Sequence, residues 1–457
     1  MLSPRNRELL GLIPSALLVI AGFTAIFIQA EKNAPGASTN LTLNHATSAS
    51  LTYGALFLAL CLAAHMVIRR TLPHADPYMF PLVAVLASIG IVMVYRIDPV
   101  LARQQATWMV VGLVLFAATI LALRREGVGV LERYRYTIAF AGLALLLLPR
   151  VPGIGQQVNG AYLGVGIGPI SFQPAEFGKI AIIIFLAAYL RDTRQVLVQG
   201  SRRFLGITIP PLKHFGPLLV VWGAAMLMLV FIRDLGSSLM YFGGFLALLY
   251  VATNRLSFVT VGLALFGFGA WFMATNISHV HDRIETWLDP FNPVYLNRPV
   301  GGSYQIAQGL FAQADGGLFG TGLGASLLKG PGGENLIPLP STDLIYAVIT
   351  NELGLVGACG LILVYMMLAQ RGFRTAMLAS DSFSKLLAAG LSAVFALQVF
   401  VIVGGVTRVI PLTGVTLPFV SYGGSSILAN FVLVALLLLV SDHARRPAGR
   451  VGRRGLR

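Results

Sequence analysis

Long apolar runs follow one another along almost the whole chain, and they constrain the fold more than any other feature. Two typical runs read FLALCLAAHMVI and ANFVLVALLLLV. About 20 apolar residues are needed for one helix to cross a bilayer. Only 11% of the residues are charged, whereas a soluble surface needs roughly a quarter or more. The sequence therefore predicts an all-α, polytopic integral membrane protein.

Twelve of these runs are long enough to be predicted as transmembrane helices. They are 9–29, 51–68, 79–95, 107–122, 136–150, 174–190, 215–232, 236–253, 257–275, 342–369, 386–404 and 425–441. The first run is full length and lacks a small-residue cleavage site, so we interpret it as a helix that is retained and not as a signal peptide.

The distribution of Lys and Arg predicts the orientation of these helices. If the N-terminus is cytoplasmic, the loops on the inner side carry 23 of the 33 basic residues, including those of RRPAGRVGRRGLR at the C-terminus. Such an asymmetry indicates an even number of spans with both termini cytoplasmic. Topology thus explains the net charge of +15, and we predict no nucleic-acid partner.

Two segments on the predicted outer side are more than linkers. They are residues 149–179 and 276–341, and the second contains aromatic residues and repeated glycines, which disfavours disorder. Asp343 and Glu352 follow as the chain enters the next span. Carboxylates at such positions face a water-filled cavity or the bundle interior. The alternatives are a helix cap for Asp343 and an interhelical hydrogen bond for Glu352.

The stretch LPFVSYGGSS, residues 417–426, interrupts the apolar pattern before the last span. Non-helical backbone survives at membrane depth only when it is buried in protein or lines a cavity. Its Tyr422, Ser425 and Ser426 therefore favour a polar cavity, and the alternative is close packing of small residues between helices. The motifs GxxxxGK[ST] and HExxH and Cys/His clusters are absent from the sequence, and we assign no metal ligand.

Together, several motifs resemble the RodA/FtsW/SpoVE family. The motifs are LPFVSYGGSS with the upstream TRVIPLTGVT, SFQPAEFGK, FIRDLGSSL, and GSYQIAQGLFAQADGGLFGTGLG followed by STDLIYAVITNELGLVG. The resemblance implies a peptidoglycan glycosyltransferase of the bacterial cytoplasmic membrane that polymerises lipid II at the outer face and releases undecaprenyl diphosphate. It also implies a class B penicillin-binding protein as partner and contact with membrane lipid. Proteins of this family usually have ten spans, so the twelve predicted here include two additional spans, which we place near the N-terminus. Whether a divalent cation such as Mg²⁺ or Mn²⁺ assists the diphosphate is left open.

The predicted organisation has five parts. They are N-terminal helices including the two additional spans (1–135), a transmembrane core with the QPAE motif (136–275), a large extracytoplasmic loop (276–341), C-terminal helices (342–441) and a basic cytoplasmic tail (442–457).

The resemblance places the catalytic base, an Asp, in the outward loop. The family pattern has two short X-Pro units with that Asp in the second, but here the second unit is Asn292-Pro293 and Asp289 stands in the first. Because an amide cannot act as a base, Asp289 is our prediction. Asp282, Asp315 and Asp343 are the alternatives.

Cationic and polar residues would bind the lipid-linked diphosphate, since Arg contacts phosphate bidentately and Lys acts as a point charge. The predicted substrate-binding residues are Lys179, Glu176, Arg283, Arg298, Gln305, Asp343, Glu352, Arg408, Tyr422, Ser425 and Ser426. An intrahelical ion pair between Glu176 and Lys179 and an interfacial anchor at Arg408 are the structural alternatives. Two alternative functions stay open. The chain could be a flippase for the same precursor or a scaffold for cell-wall proteins.

Overall fold

The computed structural model describes most of the chain. The described residues are 3–32, 39–158, 161–167, 170–199, 202–204, 207–209, 223, 235–276, 278–298, 302–326, 328 and 336–446. Within them the secondary structure is mostly helical, as the composition predicts.

The helices run in the following order along the described chain. They are α1 (Pro4–Gly11), α2 (Ile13–Lys32), α3 (Thr39–Thr71), α4 (Met79–Ile97), α5 (Pro99–Leu123), α6 (Gly129–Arg133), α7 (Arg135–Leu147), α8 (Ala175–Gln199), α9 (Leu235–Thr253), α10 (Leu256–Asn276), α11 (Ser278–Leu288), α12 (Pro293–Leu296), α13 (Tyr304–Gly316), α14 (Ile345–Leu378), α15 (Ser382–Val406) and α16 (Gly424–Ala444). A short 3-10 helix, Leu148–Arg150, follows α7.

Nine helices or helix pairs in the described part of the chain are long and apolar enough to cross a membrane. They confirm a polytopic integral membrane protein. The predicted fifth and sixth spans correspond to α7 and α8, which are not among these nine. The predicted seventh span, 215–232, lies outside the described residues except for Gly223. The count of twelve, the five-part division and the tail beyond residue 446 therefore stay predictions.

The helices differ strongly in how much of their surface the protein covers. α16 is buried along most of its length and packs on α5, while α14 packs on α15 and α7 on α8. In contrast, α10 exposes large apolar side chains such as Leu263, Phe268 and Trp271. This pattern is expected when the solvent of the outer helices is lipid.

A small antiparallel sheet occupies the outward segment 149–179, which the sequence analysis did not predict. Its strands are β1 (Gly155–Val158), β2 (Ala161–Ile167) and β3 (Ile170–Phe172), in the order β1-β2-β3. The available signal was Asn159-Gly160 between Val158 and Ala161, since Asn-Gly is a favoured two-residue hairpin turn. A second hairpin pairs β4 (Arg202–Phe204) with β5 (Ile207–Ile209).

The long outward segment 276–341 contains α11, α12 and α13, so much of it is folded, as its composition indicates. α11 ends at Leu288, directly before Asp289, and α13 begins directly after Ser303. These two helices position three of the residues that the sequence analysis assigned to the site, namely Arg283, Asp289 and Gln305.

α14 is broken at Gly354, whose φ of 67° is unfavourable for other residues. The backbone groups that the break leaves without intrahelical partners pair with the chain that follows α13. Thr321 N and Gly322 N donate to carbonyls of α14 over 2.9 and 3.0 Å, and Leu355 N donates to Gly317 O over 3.0 Å. The outward loop therefore provides hydrogen-bond partners for the backbone groups at the break. Non-helical backbone at membrane depth requires such partners.

Candidate active site

A non-helical segment between α15 and α16, residues 407–423, lies between the outward loop and the helix bundle. Its main-chain oxygens accept side-chain hydrogen bonds from both sides. Arg283 Nη1 on α11 donates to Leu412 O over 3.3 Å, and Gln398 Nε2 on α15 donates to Thr416 O over 2.9 Å. The 407–423 segment thus joins α11 to the bundle.

Lys179 lies inside the bundle in the second turn of α8. Its Nζ lies 2.5 Å from Glu176 Oε2 and 2.6 Å from Gln398 Oε1, and both charged side chains are almost fully buried. The intrahelical ion pair is therefore present. Because Gln398 also donates to Thr416 O, Lys179 is connected to the 407–423 segment through one side chain.

Asp289 follows the last residue of α11 and is exposed. Its main-chain N donates to Glu285 O over 2.9 Å, and the Asn292 amide lies 3.4 Å from its Oδ2. The following Pro290 is buried and limits the backbone at this point. A solvent-accessible carboxylate at a fixed helix end can accept a proton from a bound hydroxyl.

Arg408 lies at the start of the 407–423 segment and bonds to the end of α11. Its Nε donates to Trp287 O over 2.9 Å and its Nη2 donates to Leu288 O over 2.7 Å. The Trp287 indole donates in return to Arg408 O over 3.1 Å. Two of the five guanidinium N–H groups are thus directed at carbonyls that precede Asp289.

Asp343 stands just before α14 and faces the 407–423 segment. A Cβ placed on Gly414 would lie 3.7 Å from Asp343 Oδ2. Burial raises the pKa of the Asp343 carboxyl to about 6, against the opposing effects of the Arg283 charge and a hydrogen bond with Thr342. The interpretation of Asp343 as a helix cap is wrong, because Leu344 occupies the capping position.

Glu352 is bonded on both carboxylate oxygens. Arg96 Nε on α4 donates to Oε1 over 3.0 Å, and Ser326 Oγ lies 2.5 Å from the same oxygen. Gly324 N donates to Oε2 over 3.0 Å. The interhelical interpretation of Glu352 is confirmed, and contact of Glu352 with substrate stays a prediction.

The remaining loop residues form contacts within the loop. Arg298 Nη1 lies 2.8 Å from Asp282 Oδ1, and Tyr295 OH donates to Glu285 over 3.2 Å. Gln305 lies half-buried in the first turn of α13. Arg298 is partly exposed, so its charge is accessible to a ligand.

The Tyr and Ser residues of LPFVSYGGSS have polar partners from three elements. Tyr422 OH donates to Gln104 Oε1, and Ser425 Oγ accepts a bond from Gln173 N over 2.8 Å. Ser426 accepts bonds from an amide within α16. Ser425 therefore fixes the QPAE motif against the start of α16. Binding of substrate by these residues stays a prediction.

The sequence analysis missed two polar residues that connect these groups. Gln398 bridges Lys179 and the 407–423 segment, and Arg96 pairs with Glu352. Each is a single polar residue in or beside an apolar span, which is a signal for a functional or structural site in membrane proteins. That signal was present in the sequence.

Within the described residues, no group of three or more His, Cys, Asp or Glu side chains could hold a metal ion. The carboxylates Asp289, Asp343 and Glu352 each have separate surroundings. A divalent cation would therefore have to use phosphate oxygens together with single protein carboxylates.

Comparison with known proteins gives consistent matches over this architecture. A family model described as "Cell cycle protein", that of the FtsW, RodA and SpoVE proteins, matches residues 72–446. Peptidoglycan glycosyltransferase RodA of Mycobacterium tuberculosis is 41% identical over 454 residues, covering 97% of this chain and 92% of that protein. Stage V sporulation protein E of Bacillus subtilis is 36% identical over 303 residues, 66% of this chain and 77% of that protein.

A solved structure described as "Structural coordination of polymerization and crosslinking by a peptidoglycan synthase complex" has a similar fold. Its matching chain superposes with a TM-score of 0.65 at 26% identity, covering 82% of this chain and 99% of that one. The family match spans α4 to α16 and includes the 407–423 segment. This chain belongs to the FtsW/RodA/SpoVE family of cell cycle proteins.

Proposed function

We propose that the chain is a peptidoglycan glycosyltransferase that polymerises lipid II at the outer face of the bacterial cytoplasmic membrane. The observation that carries this proposal is the 41% identity, over 97% of the chain, to a protein named peptidoglycan glycosyltransferase RodA. The arrangement of an exposed carboxylate and several cations beside the 407–423 segment supports it.

The proposed reaction joins two lipid-linked sugars by displacement at an anomeric carbon. Asp289 accepts the proton of the acceptor hydroxyl while that oxygen bonds to the anomeric carbon. The bond between this carbon and the diphosphate breaks, and undecaprenyl diphosphate departs with the electron pair. A positioned base contributes typically about 10² to 10⁴ in rate.

Cationic groups would stabilise the departing diphosphate. Arg298 is partly exposed on the loop, and Arg283 extends from α11 to Leu412 O of the 407–423 segment. Lys179 is buried with Glu176 and would contribute its field from inside the bundle. Such fixed charges stabilise a developing negative charge without reorganising as it forms.

The partner we propose is a class B penicillin-binding protein. The similar solved structure is described as a complex that coordinates polymerization and crosslinking, and crosslinking is the activity that this chain would need from a partner. The concentration of basic residues in the predicted inner loops supports an orientation with both termini cytoplasmic.

The test is polymerisation of lipid II by the purified protein in detergent. We expect glycan polymer from the wild type and an Asp289→Asn variant that binds lipid II but forms little polymer. Detergent micelles have no two sides, so a flippase would give no signal. A wild-type protein that transports lipid II in vesicles but forms no polymer, alone or with its transpeptidase partner, would contradict the proposal.

A further inference from the structure

The backbone of Arg408 is in a conformation that is unfavourable for an arginine. Its φ is 61°, in the left-handed region that favours glycine. Other described residues with a side chain and positive φ are Asn254, Leu339 and Phe419. Unusual backbone geometry of this kind persists where the surrounding structure requires it, and it clusters at functional sites.

The hydrogen bonds of Arg408 show what this backbone conformation achieves. Its guanidinium donates to Trp287 O and Leu288 O over 2.9 and 2.7 Å, while the Trp287 indole donates to Arg408 O over 3.1 Å. The carbonyls of the last helical turn have no intrahelical partners, and a cation at this end also interacts favourably with the helix dipole. Arg408 thus caps α11 directly before Asp289.

A second contact joins α11 to the 407–423 segment. Arg283 Nη1 donates to Leu412 O over 3.3 Å, about one turn earlier along α11. The two arginines point in opposite directions, since Arg408 extends from the 407–423 segment to α11 and Arg283 extends from α11 to the segment. The end of α11 is therefore fixed to residues 408–412 at two places.

The same segment is fixed to the buried part of the site. Thr416 O accepts a bond from Gln398 Nε2, and Gln398 Oε1 accepts a bond from Lys179 Nζ over 2.6 Å. A continuous series of contacts thus runs from the end of α11 through residues 408–416 to Lys179. Arg408 is the residue in this series next to Asp289.

We infer that Arg408 is a positioning residue that holds the end of α11, and so the Asp289 carboxylate, at a fixed place relative to the 407–423 segment. This inference rests on the proposed function, in which Asp289 is the base. It differs from the sequence prediction that Arg408 binds the diphosphate. Misplacement of a reacting group by about 1 Å can cost on the order of 10²-fold in rate, so a cap of this kind affects catalysis without touching substrate.

Arg408→Gly is the informative variant because glycine suits the left-handed backbone. We expect kcat for lipid II polymerisation to fall about 10- to 100-fold, with KM within about twofold because the guanidinium contacts α11 and not the substrate. Thermal stability should change little, since relief of backbone strain offsets the loss of exposed hydrogen bonds.

Arg408→Lys and Asn254→Gly are the companion variants. A lysine can donate to one of the two carbonyls, so Arg408→Lys should recover part of the kcat that Arg408→Gly loses. Asn254 has φ 53° and is exposed between α9 and α10. Asn254→Gly therefore introduces the same type of change away from α11 and should leave kcat unchanged.

Three results would overturn the inference. One is a wild-type kcat in Arg408→Gly, and another is a raised KM at unchanged kcat, which would show that Arg408 contacts substrate. The third is a loss of activity that follows a loss of thermal stability in both Arg408 variants, which would make the residue structural only. Asp289→Asn is measured in parallel: if it polymerises normally, the assignment of the base fails first, whereas an inactive Asp289→Asn beside a normal Arg408→Gly refutes the positioning role alone.

Discussion

Arg96 on α4 and Glu352 on α14 form an ion pair in which Arg96 is half-buried, with Arg96 Nε 3.0 Å from Glu352 Oε1. Glu352 also accepts a hydrogen bond from Gly324 N, so the pair holds the chain after α13 against two transmembrane helices. The Glu352 side chain is fully buried. Charged groups in such a position need a partner, because neither water nor lipid can replace it.

The first prediction concerns the stability that this pair provides. Glu352→Ala should lower the free energy of unfolding by about 1 to 3 kcal/mol, because it leaves the half-buried Arg96 guanidinium and Gly324 N without their acceptor. Thermal unfolding in detergent measures the effect. The matched control is Asp282→Asn, which removes the partly exposed pair with Arg298 and should leave the melting temperature nearly unchanged. Equal losses in the two variants would contradict this interpretation.

The second prediction separates structure from catalysis at Lys179. Lys179→Ala should lower the melting temperature, because it leaves Glu176 buried without its partner. The protein that stays folded at the assay temperature should also polymerise lipid II more slowly, because the charge that acts on the diphosphate is lost. Gln398→Ala should reduce polymerisation less, because it removes the bridge to Thr416 O but leaves the cation in place. Polymerisation rate and melting temperature are measured together. If folded Lys179→Ala protein polymerises lipid II at the wild-type rate, the ion pair with Glu176 is structural only.

The third prediction follows from the raised pKa of Asp343, which is about 6 against about 3.9 in an unfolded chain. The folded protein binds this proton more tightly, so the stability it contributes is full below about pH 4 and is lost as pH rises through about 6. Asp343→Asn should therefore be more stable than wild type at pH 7.5, with the difference shrinking towards pH 4. Melting temperatures measured across this range test it, and a constant difference would contradict it.

The fourth prediction tests orientation. In a background without Cys61 and Cys359, a cysteine at Ser48 should react with an impermeant label from outside. A cysteine at Asn254 should react only after the inner side is opened, because the basic-residue distribution places the connection between α9 and α10 inside. Both positions are exposed in the fold. The reverse labelling pattern would place the 407–423 segment on the cytoplasmic side.

The residues show why sequence analysis predicted the fold better than the site. A long apolar run indicates a helix that is surrounded by lipid, so most spans could be predicted from the period and length of these runs alone. The pairing of Arg96 with Glu352, or of Gln398 with Lys179, depends on which helices are neighbours. Local sequence carries no information about that. The left-handed Arg408 was also unpredictable, because tertiary contacts select that backbone conformation.

The last prediction is that Asp289 is the general base. It is exposed, it follows a helix end held by Arg408, and Pro290 restricts the backbone beside it. Asp289→Asn keeps the size of the side chain but removes the proton acceptor, so polymerisation should fall on the order of 10²- to 10⁴-fold. Binding of lipid II should change little.

The comparison variants are Asp282→Asn, Asp315→Asn and Asp343→Asn, each purified and assayed with lipid II in the same way. Asp282 is already paired with Arg298. Asp343 is half-buried, and its raised pKa makes it the stronger base of the two, so the choice of Asp289 over Asp343 rests on its exposure to a bound hydroxyl. Normal polymerisation by Asp289→Asn together with an inactive comparison variant would move the base to that other carboxylate.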